Sequence, residues 1–324
     1  MTEAGSDIEG GRLAHFPVSF FSVAMGLLGL VLALRAAAPF LGWTAVLAEG
    51  VLWVTIVVFA VIAAVYFAKL LRHPGAVIAE WQHPVTLAFF PTMTISLLLL
   101  ATALRLDIPA LAEPLWIAGV AGQGVLTIAV VTGWISHRSF EVGHVTPAWF
   151  IPAVGNVIVP IAGARMGYIE ISWLFFSVGM LFWGVLLSMI MNRLVFHDPI
   201  PARLFPTMVI LIAPPSVAFV AYVAMMGVID GFARALIYIG YMFAALVLAQ
   251  LPRLVRIPFA ISWWALSFPL AALAVASFLF ARLEGTQAHL SIGLGVLMIL
   301  GLVVAGLVLR TAVAIGRGEI GRPE

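Results

Sequence analysis

Ten long apolar stretches run through the chain, and their lengths limit the possible fold more than any other feature. A helix needs about 20 mostly apolar residues to cross the hydrocarbon core of a bilayer. Charged residues make up only 9% of the chain, whereas soluble domains carry about 25%. The sequence therefore predicts an all-α integral membrane protein with ten transmembrane helices. The predicted spans are 16–36, 46–71, 85–105, 111–136, 147–165, 169–194, 204–226, 231–251, 257–281 and 288–313.

These spans leave no length for a separate soluble domain. We expect a cytoplasmic N-terminal tail at 1–15, one transmembrane domain at 16–313 and a short cytoplasmic C-terminal tail at 314–324. The N-terminal tail carries Glu3, Asp7 and Glu9, unlike the basic start of a cleaved signal peptide, so the first span is expected to be retained. Eleven Lys and Arg residues fall on the side of the termini and five on the opposite side. The positive-inside rule then predicts that both termini are cytoplasmic. We expect a multi-pass protein of the cell inner (cytoplasmic) membrane.

The odd-numbered spans share a proline near their start, which indicates an internal repeat. Successive prolines are 52 to 67 residues apart, about the length of one helical hairpin. Every hairpin would enter from the same side of the membrane, so the repeats are predicted to be parallel and not inverted. The prolines are Pro17, Pro84, Pro147, Pro206 and Pro258.

Further prolines lie inside the odd spans, whereas the even spans have none beyond their first turn. Broken helix is tolerated in a membrane only against protein or a water-filled cavity. We therefore predict an inner ring of five odd helices around a central pore and an outer ring of five even helices. The alternative is that the prolines only bend a packed bundle. The pore-lining candidates are Ser19, Ser22, Phe90, Thr92, Thr94, Pro152, Asn156, Pro214, Ser216 and Ser267.

No Asp, Glu, Lys or Arg lies in the middle of a predicted span. Proton-coupled carriers usually keep an ionisable group at that depth, so an uncharged lumen favours passive movement of a weakly bound solute. Basic residues follow the odd spans instead and could form a ring at the outer mouth, which would concentrate anions. The alternative is that each one caps a helix C-terminus and anchors it at the interface. The candidates for this ring are Arg35, Arg105, Arg165, Arg234 and Arg282.

The sequence contains no pattern typical of an enzyme, a cofactor site or a metal site. It has no cysteine, no phosphate-binding GxxxxGK[ST] loop and no HExxH motif. The stretch from Gly119 to Gly124 is glycine-rich but lies inside a span, where helix packing through small residues explains it. A net charge of +2 without a basic run does not indicate a nucleic-acid partner. We expect no catalytic residue, no metal, no cofactor and no nucleic acid, with the lipid bilayer as the main partner.

Several short segments, in order and at characteristic spacing, resemble the tellurite-resistance/dicarboxylate transporter family, which includes bacterial TehA and the plant slow-type anion channels. The resemblance extends over nearly the whole chain. The segments are His83-Pro84-Val85, Phe89 to Ser96, Pro147 to Asn156, Leu211 to Pro214 with Ala221-Tyr222, and Trp264 to Phe268.

This resemblance implies five hairpins around a central pore and a homotrimer with one pore in each subunit. It also implies that a phenylalanine on the ninth helix blocks the pore, and Phe268 matches that position. Pro269 follows it, as in the plant branch, where the TehA branch has glycine.

Two transport functions are open from the sequence, and a membrane-embedded enzyme is a third possibility from a different class. The first is a passive anion channel or uniporter, and the second is a secondary carrier for C4-dicarboxylates such as malate. Sulfite or tellurite-related efflux is a further variant in the family that the chain resembles. A membrane-embedded enzyme would need a converging metal or nucleophile set, which the sequence does not provide.

Overall fold

The computed structural model describes residues 11–136 and 140–317, and every regular element in these ranges is helical. Most of the two predicted tails lies outside the described residues. Twelve α-helices are present in the described ranges. They are α1 (Phe21–Ala37), α2 (Trp43–Arg72), α3 (Pro74–Gln82), α4 (Thr92–Leu104), α5 (Pro109–Ser136), α6 (Phe150–Gly163), α7 (Ile169–Phe196), α8 (Ala213–Met226), α9 (Gly231–Ala249), α10 (Leu251–Leu254), α11 (Ser267–Glu284) and α12 (Gln287–Gly316).

Ten helical segments are long and apolar enough to cross a membrane, which confirms the predicted number. Their ends differ from the predicted ends by a few residues at most. Two short helices, α3 and α10, were not predicted because each lies largely between two predicted spans. Pro74 is the first residue of α3, a position where proline fits because no backbone N–H is needed there.

Five of these segments form an inner group and five form an outer group. In the apolar 18-residue stretch of each odd-numbered segment, 78–89% of the residues are buried inside the protein. The corresponding share in the even-numbered segments is 22–28%. The inner helices are therefore α1, α4, α6, α8 and α11, and the outer helices are α2, α5, α7, α9 and α12. The outer helices expose large apolar side chains, as expected of a surface that faces hydrocarbon. This arrangement agrees with the predicted order of odd helices inside and even helices outside.

Each odd segment opens with a 3₁₀ helix and continues as an α-helix, whereas the even segments are α-helical from their start. The internal prolines cluster where the helix type changes, with Pro152, Pro214 and Pro269 in the first turn of their α-helices. Proline is tolerated in a first turn because it lacks the N–H that an interior position would need. The 3₁₀ helices are Val18–Phe20, Thr86–Phe89, Pro147–Trp149, Ala202–Ile212 and Ile261–Leu266.

The outer helices pack on the inner ones through glycines. On α7, a Cβ at Gly179 would lie 2.4 Å from the Val157 side chain and 3.0 Å from the backbone oxygen of Ala153 on α6. The predicted packing role of the segment from Gly119 to Gly124 is also seen, since a Cβ at Gly119 would meet Leu98 at 2.9 Å. Missing Cβ atoms let the backbones approach closely, the usual basis of helix association in membranes.

We predict that Gly179→Ala lowers the thermal stability of the purified protein. The new methyl group meets backbone atoms that cannot rotate away, and overpacking of this kind costs about 1–3 kcal/mol. Gly184→Ala on the same helix is the matched control, because nothing lies within 4 Å of its Cβ position. Melting in detergent, followed by intrinsic fluorescence, measures both variants. Equal melting temperatures for the two would contradict the proposed close packing.

Candidate functional site

Two cavities follow one another along the axis of the inner ring. We call the narrow one, with room of about 20 Å³, the constriction pocket, and the wide one, of about 270 Å³, the vestibule. A single water needs about 10–15 Å³ of such space, so the constriction pocket has room for about one water molecule. The vestibule holds many more. Both cavities are lined by residues from all five inner segments, as a central pore requires.

The constriction pocket is apolar. Each of the five inner segments contributes at least two side chains, and Ser22 is its one hydroxyl-bearing residue. The Ser22 hydroxyl donates its hydrogen to the Ser19 carbonyl oxygen at 2.5 Å. A dehydrated ion would therefore find little here to replace its water shell. The lining residues are Ser22, Met25, Phe89, Ile95, Ile151, Val154, Ile210, Ala213, Ala265, Phe268 and Pro269.

Phe268 is the one residue that lines both cavities. It is the second residue of α11 and only 6% of it is exposed. Two glycines of α1 allow α11 to approach closely at this level. A Cβ at Gly26 would lie 2.1 Å from the Ser267 hydroxyl oxygen, and one at Gly29 would lie 2.9 Å from the Ala271 Cβ and 3.4 Å from the Phe268 ring. Gly26 and Gly29 thus set the position of the ring, and the sequence reasoning missed both.

The polar residues predicted to line the pore mostly face elsewhere, and Ser22 is the exception. Several of their hydroxyls bond to carbonyl oxygens where a 3₁₀ helix becomes an α-helix. Thr92 donates to the Phe89 oxygen and Ser267 donates to the Trp264 oxygen, both at 2.6 Å. Such a bond stays inside its own segment and uses the hydrogen of the hydroxyl group. Thr92 and Ser267 thus satisfy backbone acceptors in an apolar surrounding, and neither lines the constriction pocket or the vestibule.

Thr94 and Asn156 point away from the axis, towards the outer helix α5. Thr94 donates to the Gln123 side chain at 2.7 Å, and Asn156 donates to the Thr127 hydroxyl at 3.0 Å and to the Pro152 carbonyl at 2.8 Å. Gln123 also donates to the Pro152 carbonyl, at 3.0 Å. This buried network joins α4, α5 and α6. Its members are occupied with one another because an unpaired polar group in hydrocarbon is costly.

Three further residues predicted to line the pore, Ser216, Phe90 and Pro214, also have other surroundings. Ser216 donates to the Ile212 carbonyl at 2.8 Å and lies beneath Gly240 of the outer helix α9. Phe90 makes an edge-to-face contact with Trp81 of α3, and its neighbour Phe89 lines the constriction pocket instead. Pro214 is buried in the first turn of α8. The residue type was thus a poor guide to which side chain faces the axis.

Four of the five arginines predicted for the outer mouth line the vestibule: Arg35, Arg105, Arg165 and Arg282. Arg35 is engaged by α4, because it donates to the Ala103 carbonyl oxygen and forms an ion pair with Asp107. The guanidinium of this one arginine therefore ties α1 to the end of α4. Arg35 thus lines the vestibule and also bonds to the carbonyl end of a neighbouring inner helix.

Arg234 has a different location. It forms an ion pair with Glu284, and its guanidinium lies 5.2 Å from the centre of the Phe280 ring. The residue lies on the outer helix α9, so its side chain joins α9 to the end of α11. Arg234 is accordingly removed from the group of vestibule arginines.

The nearby carboxylate of Asp230 is also held locally. It accepts a hydrogen bond from the Ala233 backbone N–H at 2.9 Å and one from the Tyr222 hydroxyl at 2.6 Å. These two bonds, the backbone bond first, lower the pKa of Asp230. The group therefore stays ionised as the N-cap of α9.

A buried ion pair at the opposite end of the bundle was not predicted. Lys69 is 1% exposed, and its ammonium lies 2.9 Å from the Glu80 carboxylate and donates to the Phe16 carbonyl at 2.9 Å. Glu80 also accepts from the Val18 backbone N–H and from the Tyr66 hydroxyl. The network fastens α3 to α2 and to the start of the first inner segment. Opposite charges on either side of the turn at Pro74 were the available signal for it.

Comparisons with known proteins give a consistent result. The family model for voltage-dependent anion channels (SLAC1) matches residues 15–312. An uncharacterized transporter of Methanocaldococcus jannaschii is 24% identical over 312 residues, which cover 89% of this chain and 91% of that protein.

Two further relatives have names that mention anions or tellurite. The guard cell S-type anion channel SLAC1 of Arabidopsis thaliana is 25% identical over 83% of this chain and 50% of its own length. The tellurite resistance protein TehA homolog of Haemophilus influenzae is 27% identical over 80% of this chain and 79% of its own length. The family model covers most of the chain, and the ten spans fit it, so this multi-pass membrane protein belongs to the voltage-dependent anion channel (SLAC1) family.

Proposed function

We propose that this chain moves small anions passively through the pore on the axis of the inner ring, with Phe268 as the gate. The observation that carries the proposal is the change in charge and polarity of the lining residues from one end of this axis to the other. Arginines line the wide end, no carboxylate lines either cavity, and Phe268 is the one residue common to the linings of the vestibule and the constriction pocket.

Electrostatics favour an anion over a cation in this pore. The vestibule arginines raise the local concentration of anions by a long-range field that salt weakens. No carboxylate among the lining residues of the described chain attracts a cation or relays a proton. A pore that binds its ion only at the mouth lets that ion leave again, as conduction requires.

The Phe268 ring supplies the barrier. A space for about one water molecule, surrounded by apolar side chains, forces an ion to give up most of its hydration shell. Removal of the ring joins the constriction pocket to the vestibule, and water and ions then have a wider passage. Phe268 is thus placed to close the pore by volume and by exclusion of water.

A secondary carrier for C4-dicarboxylates such as malate is the second candidate. The volume of the vestibule, about 270 Å³, and its arginines favour this alternative, since guanidinium groups bind carboxylates well. A carrier saturates and couples to pH, whereas a channel shows single-channel steps with chloride or nitrate. Sulfite or tellurite-related efflux is a further variant of the same transport. Side-by-side recordings with chloride, nitrate, sulfite and malate separate these candidates.

The setting of the protein is part of the proposal. The excess of Lys and Arg on the side of the termini supports cytoplasmic termini in the cytoplasmic membrane. The vestibule then opens to the outside. We also propose a homotrimer, with one pore in each subunit, on the family resemblance; cross-linking in native membranes tests it.

We predict that Phe268→Ala increases chloride conductance in planar bilayers or oocytes above that of the unmodified protein. Phe219→Ala is the matched control, because Phe219 is a fully buried inner-helix phenylalanine that stacks on Phe280 and lines neither cavity. Each substitution costs about 3–5 kcal/mol of stability, so expression is measured for both. An unchanged current for Phe268→Ala at normal surface expression would contradict the gate.

We further predict that water enters the vestibule and does not reach the Thr94 network. The chain has no cysteine, so single-cysteine labelling has no background. Thr102→Cys, at a position that lines the vestibule, should react quickly with a charged methanethiosulfonate reagent. Thr94→Cys, between α4 and α5, should react slowly because its site is sealed by packing. Similar rates at both positions would contradict the assigned pore axis.

A further inference from the structure

The four vestibule arginines are not equivalent. Arg35 is neutralised by Asp107 and bonded to a backbone carbonyl. The side chains of Arg105, Arg165 and Arg282 make no hydrogen bond or ion pair with any part of the chain that the structure describes. They come from three different inner segments and line the same cavity. Three positive charges without counter-charges therefore face the vestibule.

These three charges also act on one another. Arg105 and Arg282 lie close enough to Arg165 to repel it electrostatically. Repulsion among like charges weakens when an opposite charge lies between them. A bound anion therefore reduces the repulsion between the three guanidinium groups, and this reduction grows with the charge on the anion.

The chemistry of the donors selects the kind of anion. Each guanidinium is a planar fork that matches a carboxylate in a two-bond arrangement. Three such forks around a cavity of about 270 Å³ offer donors to both ends of a short dicarboxylate at once. A monocarboxylate or chloride can use only part of this set.

The rest of the pore does not suit the same ligand. Beyond Phe268 lies the apolar constriction pocket, with room for about one water molecule. The cost of removing an ion from water rises with the square of its charge, so a dianion meets a much higher barrier than chloride. Conduction requires that an ion bind weakly enough to leave. A dicarboxylate that binds three guanidinium groups meets a high barrier on its way in.

We propose that Arg105, Arg165 and Arg282 form a binding site for short dicarboxylate dianions, and that a dianion held there plugs the pore from the vestibule side. The inference rests on the proposed anion pore and adds a ligand class and a mode of regulation to it. It also separates the two candidate functions, because a dicarboxylate is a blocker here and a cargo in the carrier alternative.

The test is block of the chloride current of Phe268→Ala by succinate, in single-channel bilayers at about pH 8, where carboxyl groups are ionised. This variant lacks the ring but keeps the other apolar residues of the constriction pocket, which still oppose the entry of a dianion. Succinate is added to one chamber and then to the other. We expect block from one chamber only, and little block by acetate at the same concentration. Adding Arg165→Gln should raise the half-blocking concentration at least about tenfold, the effect of losing one hydrogen bond to a charged group.

Two variants control this result. Arg165→Lys keeps the positive charge but loses the planar guanidinium group. The half-blocking concentration of succinate for this variant should therefore lie between that of the protein with Arg165 and that of the Arg165→Gln variant. Arg256→Gln removes an equal charge from an exposed site at the opposite end of the bundle and should leave the block unchanged. The chloride current without succinate shows that each variant is folded. Equal block in all variants, or a current carried by succinate itself, would overturn the proposal.

The failure of the site and the failure of the pore give different results. If Phe268→Ala carries chloride current and succinate does not reduce it, the proposed pore is supported and the proposed dicarboxylate site is contradicted. If Phe268→Ala carries no current, calorimetric titration of the unmodified protein with succinate still tests the site, with Arg165→Gln as the comparison. If the titration shows no binding heat, or the same heat with Arg165→Gln, the proposed dicarboxylate site is contradicted.

Discussion

The structure depends on the requirement that every backbone polar group in hydrocarbon finds a partner within the protein. The outer helices meet it by continuous α-helical hydrogen bonding. The inner segments begin as 3₁₀ helices and change to α-helices, with Pro152, Pro214 and Pro269 in first turns where the missing N–H costs little. Hydroxyls of Ser22, Thr92 and Ser267 donate to carbonyls at this change.

That same requirement leaves the axis apolar at its narrow point. Hydroxyls that satisfy backbone carbonyls or join the Gln123 network are no longer available to line a pore. Phe268 lines the constriction pocket where α11 packs closely on Gly26 and Gly29 of α1. Charge enters only at the vestibule, where water can still solvate it. A hydrated, basic mouth above a dry constriction is the physical basis of the proposed anion pore.

Much of the fold could be predicted because it follows from length and composition. Ten apolar stretches gave ten spans, and the internal prolines separated inner helices from outer ones. The site could be predicted less well. Phe268 was found by resemblance, and four arginines by their place after the odd spans. Thr92, Thr94 and Asn156 were assigned to the pore by residue type, and hydrogen bonding placed them elsewhere.

By itself the sequence determined the number of spans, their division into two rings and the arginines that follow the inner helices at the vestibule end. Only the tertiary structure decided which face of each inner helix meets the axis and which arginine has a carboxylate partner. The physical reason is that the lipid, the protein interior and the constriction are all apolar, so hydrophobic periodicity carries little information about direction. The pairing of Arg35 with Asp107, and of Arg234 with Glu284, depends on contacts between distant helices.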